Sequence, residues 1–449
     1  MTFRKVAVLA FCFMPLQVAH AQAAGNGNLP GFATPAGFDD LSSLFRISVT
    51  VFSPSGPVVD TYGLDIADDT QNFLDPAVLS QRFGQNYQNN FAVQGVVDIR
   101  GLPAFGSYTA NSTALQIRVP AFDEPNRPYV LTFNGQTRED SYAQFAAYFD
   151  DQDSAEGQRL LRLLLRALAR YSPIDPVAGN PGSIQGSLAR SGLDLSSGDS
   201  AIEQSAATGA NAKDLPGDPW MVGGSFTTFS AGDRYSGQRF DGRIQRSFRL
   251  AEGGRSLLKF DMPFSYSETN GARAASLQLG VGAEFTVIDR RWSLEPRVGY
   301  AITASDKLGS IGHMGTASVT SRFVIDGVGR GRIAIGNMVG YMSTISTAFT
   351  GYDFDPAIRN TVLRNGVAYE LPVKARALGR SLSVRGSYAM TNLLGTKVYA
   401  NTFHEATLSV GVRGREEGVR NARDLIRFSI NGAKAADYKS LTFGVGFRF

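Results

Sequence analysis

His404 and Glu405 stand side by side, and an imidazole beside a carboxylate is the pairing that activates a hydroxyl for nucleophilic attack. The sequence offers this pair no third member, because it contains no His-x-Ser pairing and no Gly-x-Ser-x-Gly elbow. His313 has no spaced ligand either, so a zinc centre, which needs a cluster of His or Cys, is not expected. The one cysteine, Cys12, lies in an apolar run at the N-terminus. Beyond it, disulfide staples, thiolate chemistry and cysteine-ligated metal are excluded. Gly327-Val328-Gly329-Arg330-Gly331 reads as a tight turn, since no helix pattern follows it as a phosphate loop requires. No cofactor, no metal and no catalytic residue is therefore expected.

The remaining candidates are charges at alternate positions of the C-terminal half. Arg239, Asp241, Arg243, Arg249, Lys259, Asp261, Glu284, Glu295, Arg297, Arg322, Arg332, Glu370, Lys374, Arg385, Arg413 and Arg427 each fall on the polar side of a run whose other side is apolar. A strand alternates its side chains with period two, so these charges share one face of a sheet. If that face lines the inside of a barrel, the charges must be paired or wet. One reading is a ladder of cross-strand ion pairs filling a narrow barrel. The other is a basic, hydrated path, open to anionic solutes or occupied by an acidic stretch of the same chain.

Such a face needs strands long enough to carry it. The alternation predicts about twelve, near 220–230, 238–250, 256–267, 275–288, 292–304, 312–325, 332–343, 362–375, 381–390, 404–413, 425–432 and 440–449. Runs of roughly ten residues cross a membrane at a tilt, and an even number suits a single-chain bacterial barrel. Five connections (251–255, 289–291, 326–331, 376–380, 414–424) are expected as turns at one end. Longer, more polar loops (267–275, 305–311, 344–361, 391–403) are expected at the other. The chain closes on Leu441, Phe443, Val445, Phe447 and Phe449 on one side of a strand and Thr442, Gly444, Gly446 and Arg448 on the other. This ending resembles the C-terminal β-signal of bacterial outer-membrane proteins. The resemblance implies insertion by the barrel-assembly machinery with the help of periplasmic chaperones.

The N-terminus agrees with export. Arg4 and Lys5 precede an apolar run, Val6 to Val18, followed by Ala19-His20-Ala21, a small-x-small cleavage pattern, so residues 1–21 read as a signal peptide. Bulky Phe11 before Cys12 argues against a lipobox. Charge then divides the rest: 22 acidic against 12 basic residues from Ala24 to Asp218, and 18 against 30 from Pro219 to Phe449. Two regions with different surroundings are implied.

Residues 39–171 read as a small α+β domain with an acidic surface. Strands are expected at 45–51, 91–99, 114–119 and 129–133, with helices opening at Asp75-Pro76 and Asp140. A stronger helix runs from about Ser154 to Tyr171, with Leu160, Leu161, Leu164, Leu165 and Leu168 on one side and Arg162, Arg166 and Arg170 as a stripe at spacing four. Such a stripe binds a membrane or lines a pore; the plainer reading is a domain helix with a solvated charged face. Residues 172–218 form a linker, with a short helix expected at Ala201–Ala210.

The fold class is thus an all-β transmembrane barrel of about twelve antiparallel strands behind a small α+β domain. The order of parts resembles the autotransporter (type V secretion) plan, most closely over Pro219 to Phe449, with Pro219-Trp220-Met221-Val222-Gly223-Gly224 opening the barrel and Phe443-Gly444-Val445-Gly446-Phe447-Arg448-Phe449 closing it. The resemblance implies a Gram-negative outer-membrane location among lipid and lipopolysaccharide. It also implies a barrel that carries its own N-terminal domain outward, with a helix in the pore. A small anion-favouring porin with a periplasmic N-terminal domain is the alternative, and an outer-membrane hydrolase built on His404 stands behind both. Nucleic acid is not an expected partner.

Overall fold

In the computed structural model, the alternating stretches of the C-terminal half extend into long strands that pair with their neighbours in sequence, the last of them closing on the first. The structure describes residues 43–64, 68–123, 127–150, 155–198, 200, 203, 220–232, 234–250, 256–305, 307–308, 310–349, 352–413 and 424–448. The proposed signal peptide, Phe449 and nearly all of the helix expected at Ala201–Ala210 lie outside those residues.

The N-terminal region contributes β1 (Phe45–Ser53), β2 (Gly56–Leu64), α1 (Pro76–Phe83), β3 (Ala92–Ile99), β4 (Leu102–Tyr108), β5 (Leu115–Arg118), β6 (Val130–Phe133), α2 (Arg138–Asp150) and α3 (Ala155–Tyr171). After α3 the chain forms α4 (Ile184–Gly192). The C-terminal half then supplies β7 (Trp220–Ala231), β8 (Tyr235–Arg249), β9 (Ser256–Thr269), β10 (Ala272–Ile288), β11 (Trp292–Ser305), β12 (Ser310–Val328) and β13 (Gly331–Ile345). A small hairpin, β14 (Thr347–Phe349) and β15 (Tyr352–Phe354), precedes β16 (Arg359–Ala377), β17 (Arg380–Gly395), β18 (Thr402–Arg413), β19 (Asp424–Ala435) and β20 (Tyr438–Arg448).

Twelve of these strands, β7 to β13 and β16 to β20, form a closed antiparallel barrel. It closes where Phe443 of β20 faces Phe226 of β7 and Phe447 faces Val222. Closure leaves no unpaired sheet edge. One face of every strand is apolar and points out: Phe240, Val298, Leu408 and Phe428 are each more than half exposed. Tyr266, Tyr300, Tyr341 and Tyr388 ring this surface toward one end, and Trp220, Tyr369 and Phe447 toward the other. The strands run beyond their expected ends, so the predicted contrast in loop length largely disappears. At the end expected to carry long loops, three connections are turns at 232–234, 270–271 and 436–437; only 346–358 and 396–401 are long.

The N-terminal domain is a six-stranded sheet in the order β2-β1-β3-β4-β5-β6. Its inner face, with Ile47, Val49, Val51, Val93 and Val97, packs on Phe73, Leu74 and Leu79 around α1. Leu160, Ala167 and Leu168 of α3 pack on Leu102, Ala104, Val119 and Phe122. Pro76 opens α1 behind Asp75, whose Oδ1 accepts the Ala77 N–H at 2.8 Å. Asp75→Ala is expected to lower the domain's stability by about 1 kcal/mol. Hydrogen exchange across 76–83 would check this, and unchanged protection would mean that the cap contributes nothing.

Candidate functional site

Beyond α3 the chain enters the barrel. At the mouth, Ser172 Oγ donates to the Arg100 carbonyl at 2.6 Å, and the Arg100 guanidinium donates to the Leu308 carbonyl in the β11–β12 connection. Burial lowers the Arg100 pKa from its ordinary value, and the nearby Asp175 carboxylate opposes that effect. The Asp98 carboxylate accepts from Arg46 inside the domain and from Arg234 of the β7–β8 turn at 2.7 Å. The arginine stripe of α3 belongs to the same joint. Arg166 donates to the Asp355 carbonyl at 2.9 Å, and Arg170 to those of Pro356 at 3.1 Å and Ala357 at 2.8 Å. These two arginines grip a barrel loop, which neither the membrane reading nor the solvated-face reading of the stripe anticipated. These contacts fall at one end of the barrel, opposite the end where Trp220 begins β7 and Arg448 finishes β20.

From that mouth the linker descends along β12. Ser310 donates to Asp175 at 2.7 Å, Val177 sits against Gly312, Thr320 donates to the Gly192 carbonyl at 2.9 Å, and Arg322 to that of Asp194 at 2.8 Å. At roughly 3.4 Å per residue, Ser310 to Arg322 covers about 40 Å of strand. Ser183 caps α4, whose Ile184, Leu188 and Ala189 are buried against the wall, as is Leu193 just beyond it. Inward-facing glycines leave room for this. A Cβ on Gly336 would fall 2.6 Å from Leu193, and one on Gly366 would fall 2.8 Å from Leu195.

A helix end and the unwound chain after it leave carbonyls without partners. Arginines of the barrel wall take them. Arg364 Nε donates to the Leu193 carbonyl at 2.9 Å and Arg385 Nε to that of Leu195 at 2.6 Å. Lower down, Glu203 of the linker pairs with Arg385 at 2.7 Å and Arg322 at 3.5 Å. Asp194 lies 3.7 Å from Arg243.

The other expected lumen charges pair within the wall. Lys259 Nζ lies 2.5 Å from Glu284 and 2.8 Å from Glu295. Arg297 pairs with Asp261, and Arg239 donates to Asp241 at 2.7 Å. Glu370 collects Arg332 at 3.0 Å, Arg385 at 3.1 Å, Arg427 at 3.5 Å and Arg413 at 4.0 Å. Lys374 is the exception. A bulge between Val373 and Arg376 takes it out of the ladder and leaves it exposed near the turn. Arg364, which shares the parity of Glu370, is a lumen charge beyond those expected and pairs with Glu405 at 2.5 Å. Glu405 is a further lumen charge, masked in the sequence by its place beside His404. The two lie on opposite faces: Glu405 is buried in the lumen, while His404 points outward and its Nδ1 meets the Tyr388 hydroxyl at 2.7 Å. The dyad therefore does not form. Phe443 and Phe447 are exposed on the outer surface, and Val445 shares their face.

α4 plugs the lumen and leans on β10, β11 and β12. A cavity of about 370 Å³ lies on its other side, lined by Arg190, Asp194, Arg239, Arg243, Asp424 and Arg427 among others.

No protein-family model and no curated protein sequence matches the chain. Among solved structures, it is similar to the translocator domain of the autotransporter NalP from Neisseria meningitidis (12% identity, 53% of this chain and 89% of that one, TM-score 0.41). It is also similar to the beta domain of the Bordetella autotransporter BrkA (15% identity, 52% and 99%, TM-score 0.39). The KdgM porin aligns at 10% identity over 51% and 99% of the two chains, with a TM-score of 0.29.

Proposed function

We propose that this chain is an outer-membrane barrel that carries its own N-terminal domain to the cell surface and holds it there. The threaded linker is the observation that carries the reading. The domain docks at one mouth, the barrel strands begin at the other, and residues 172–198 run from the first mouth into the lumen, with Glu203 further along against the wall. Because the strand number is even, both barrel termini lie on one side, and a barrel inserted from the periplasm keeps them there. The docked domain is then extracellular. The outward apolar belt and its two aromatic rings match a hydrocarbon layer with polar interfaces. In this reading the face carrying Phe443, Val445, Phe447 and Phe449 is presented to the assembly machinery during insertion.

Protease shaving tests the sidedness. A specific cleavage site inserted at the Pro54-Ser55 turn between β1 and β2 is expected to be cut in intact cells. Protection in intact cells with cutting after the outer membrane is permeabilised would put the domain in the periplasm and end this reading.

The cavity beside the plug favours one second reading, a small pore for anionic solutes. Intact chains in a planar bilayer would then pass anions in preference to cations; silence or cation selectivity would reject it.

A further inference from the structure

The outward face of β18, β19 and β20 breaks its apolar pattern once, at the end where the N-terminal domain docks. His404 is directly opposite Lys434, and Lys434 is directly opposite Lys439. All three point away from the lumen and are exposed. Like charges directly across a sheet repel, and paired positions bring their Cα atoms to about 5 Å. In the lumen, like charges that face one another share an opposite charge, as Glu284 and Glu295 share Lys259. Lys434 and Lys439 have no such partner among the described residues; the nearby carboxylate in sequence, Asp437, belongs to the turn that joins their strands. The Tyr388 hydroxyl and His404 Nδ1 share a hydrogen bond at 2.7 Å, which leaves Nε2 as the ring nitrogen not engaged by the tyrosine. The two ammonium groups of the row are donors without an acceptor among the described residues.

The surface below the row is built differently from the rest of the belt. The next outward positions are Ala406, Gly432 and Leu441, in register across the same three strands. A Cβ added at Gly432 would meet nothing within 4 Å, so a shallow notch lies between Ala406 and Leu441. Under it come Leu408, Ile430 and Phe443, all large, apolar and exposed. Cations above a groove of small residues, and greasy side chains below, match a head that carries negative charge and tails that follow the wall.

We infer that His404, Lys434 and Lys439 form a binding site for the phosphate of a phosphorylated outer-leaflet glycolipid, whose acyl chains lie over Gly432, Leu408, Ile430 and Phe443. The inference rests on the membrane placement and sidedness proposed above, since these put the row at the outer headgroup level. Phosphate oxygens accept from two ammonium groups and an imidazole N–H at once, which removes the repulsion along the row. A lipid held here would cover the strands next to the closing seam and lie beside the docked domain.

The test uses the full chain folded in a zwitterionic detergent, with bisphosphorylated lipid A as the probe and native mass spectrometry as the readout. The wild-type chain is expected to retain the lipid. Lys434→Gln combined with Lys439→Gln should weaken retention about tenfold, the loss of two charge-assisted contacts. Lys397→Gln, a lysine of the β17–β18 loop at the same end, should leave retention unchanged. Dephosphorylated lipid A should bind no better to the wild type than to the double variant. Equal retention by the double variant, an equal loss in Lys397→Gln, or equal binding of the dephosphorylated lipid would overturn the assignment. Displacement of the lipid by millimolar inorganic phosphate would also overturn it, by showing a site for free phosphate. The heat-dependent shift in electrophoretic mobility reports whether each variant is a folded barrel. Failure of the lipid site with the shift intact and the Pro54-Ser55 site still cut in cells leaves the proposed function standing.

Discussion

Replacing residues 184–193 by a Gly/Ser stretch of equal length is expected to raise the single-channel conductance of the full chain about tenfold. A helix with its side chains is a cylinder about 10 Å across. A twelve-stranded barrel is only moderately wider than the eight-stranded ones that side chains alone can fill. One helix therefore takes most of the cross-section and leaves the cavity of about 370 Å³ beside it. What keeps the helix against the wall is apolar: Ile184, Leu188 and Leu193 are at most 3% exposed. A Gly/Ser chain has none of these anchors and samples the lumen as a flexible coil. The wall arginines that accept the linker, Arg322, Arg364 and Arg385, then face water, so the enlarged current should be carried mainly by anions. The measurement is planar-bilayer recording of wild type and variant side by side. Equal conductance in the two would mean that closure comes from the docked domain over the mouth, and that the helix is not the barrier.

How much of this arrangement could be read in advance depended on the range of the interaction. Alternation is local, so the twelve barrel strands and the face of each were legible: Arg297 and Glu295 in, Val298 and Leu294 out. Register is not local. That Glu370 would gather arginines from β13, β17, β18 and β19 follows from barrel closure, which no single run discloses. A pore helix is expected at Ala201–Ala210, where the composition favours helix, and nearly all of it lies outside the described residues. The helix that the structure describes in the lumen, α4 at Ile184–Gly192, was not legible, because it runs through a stretch holding Gly186 and ends on Gly192. Glycine weakens a helix, so this segment has little helical preference of its own, and it is the contact with the wall that stabilises it. In the N-terminal domain, β1 and β3 were legible because their alternation is long and strong. β2 and β4 were missed: Gly56, Pro57 and Gly63 in the first, and Pro103 and Gly106 in the second, look like turn punctuation. Their pairing to β1 and β3 overrides that local signal. Arg166 and Arg170 show the same limit, since the stripe was plain but the loop it holds lies some 190 residues away in sequence.

The second large effect is expected at Lys259. Its ammonium lies between Glu284 and Glu295, and the three side chains are 7%, 0% and 5% exposed. Methionine has nearly the same length and fits the same space, so Lys259→Met removes the charge with little change in packing. Two carboxylates are then left buried on adjacent strands without the cation between them. Removing one partner of a buried ion group costs about 3–5 kcal/mol, far more than the intact group contributes. Against a total stability of roughly 5–15 kcal/mol, that is enough to halve the denaturant range over which the barrel stays folded. Urea unfolding in detergent, followed by the mobility shift, would measure it. The cause can be separated from the cost of a changed shape by removing the acids as well. If the destabilisation comes from uncompensated charge, Lys259→Met with Glu284→Gln and Glu295→Gln should recover most of the loss, because neutral amides carry no such desolvation cost. A triple variant no more stable than Lys259→Met would show that the lysine acts through packing, and the ladder of lumen charges would lose its claim to hold the wall together.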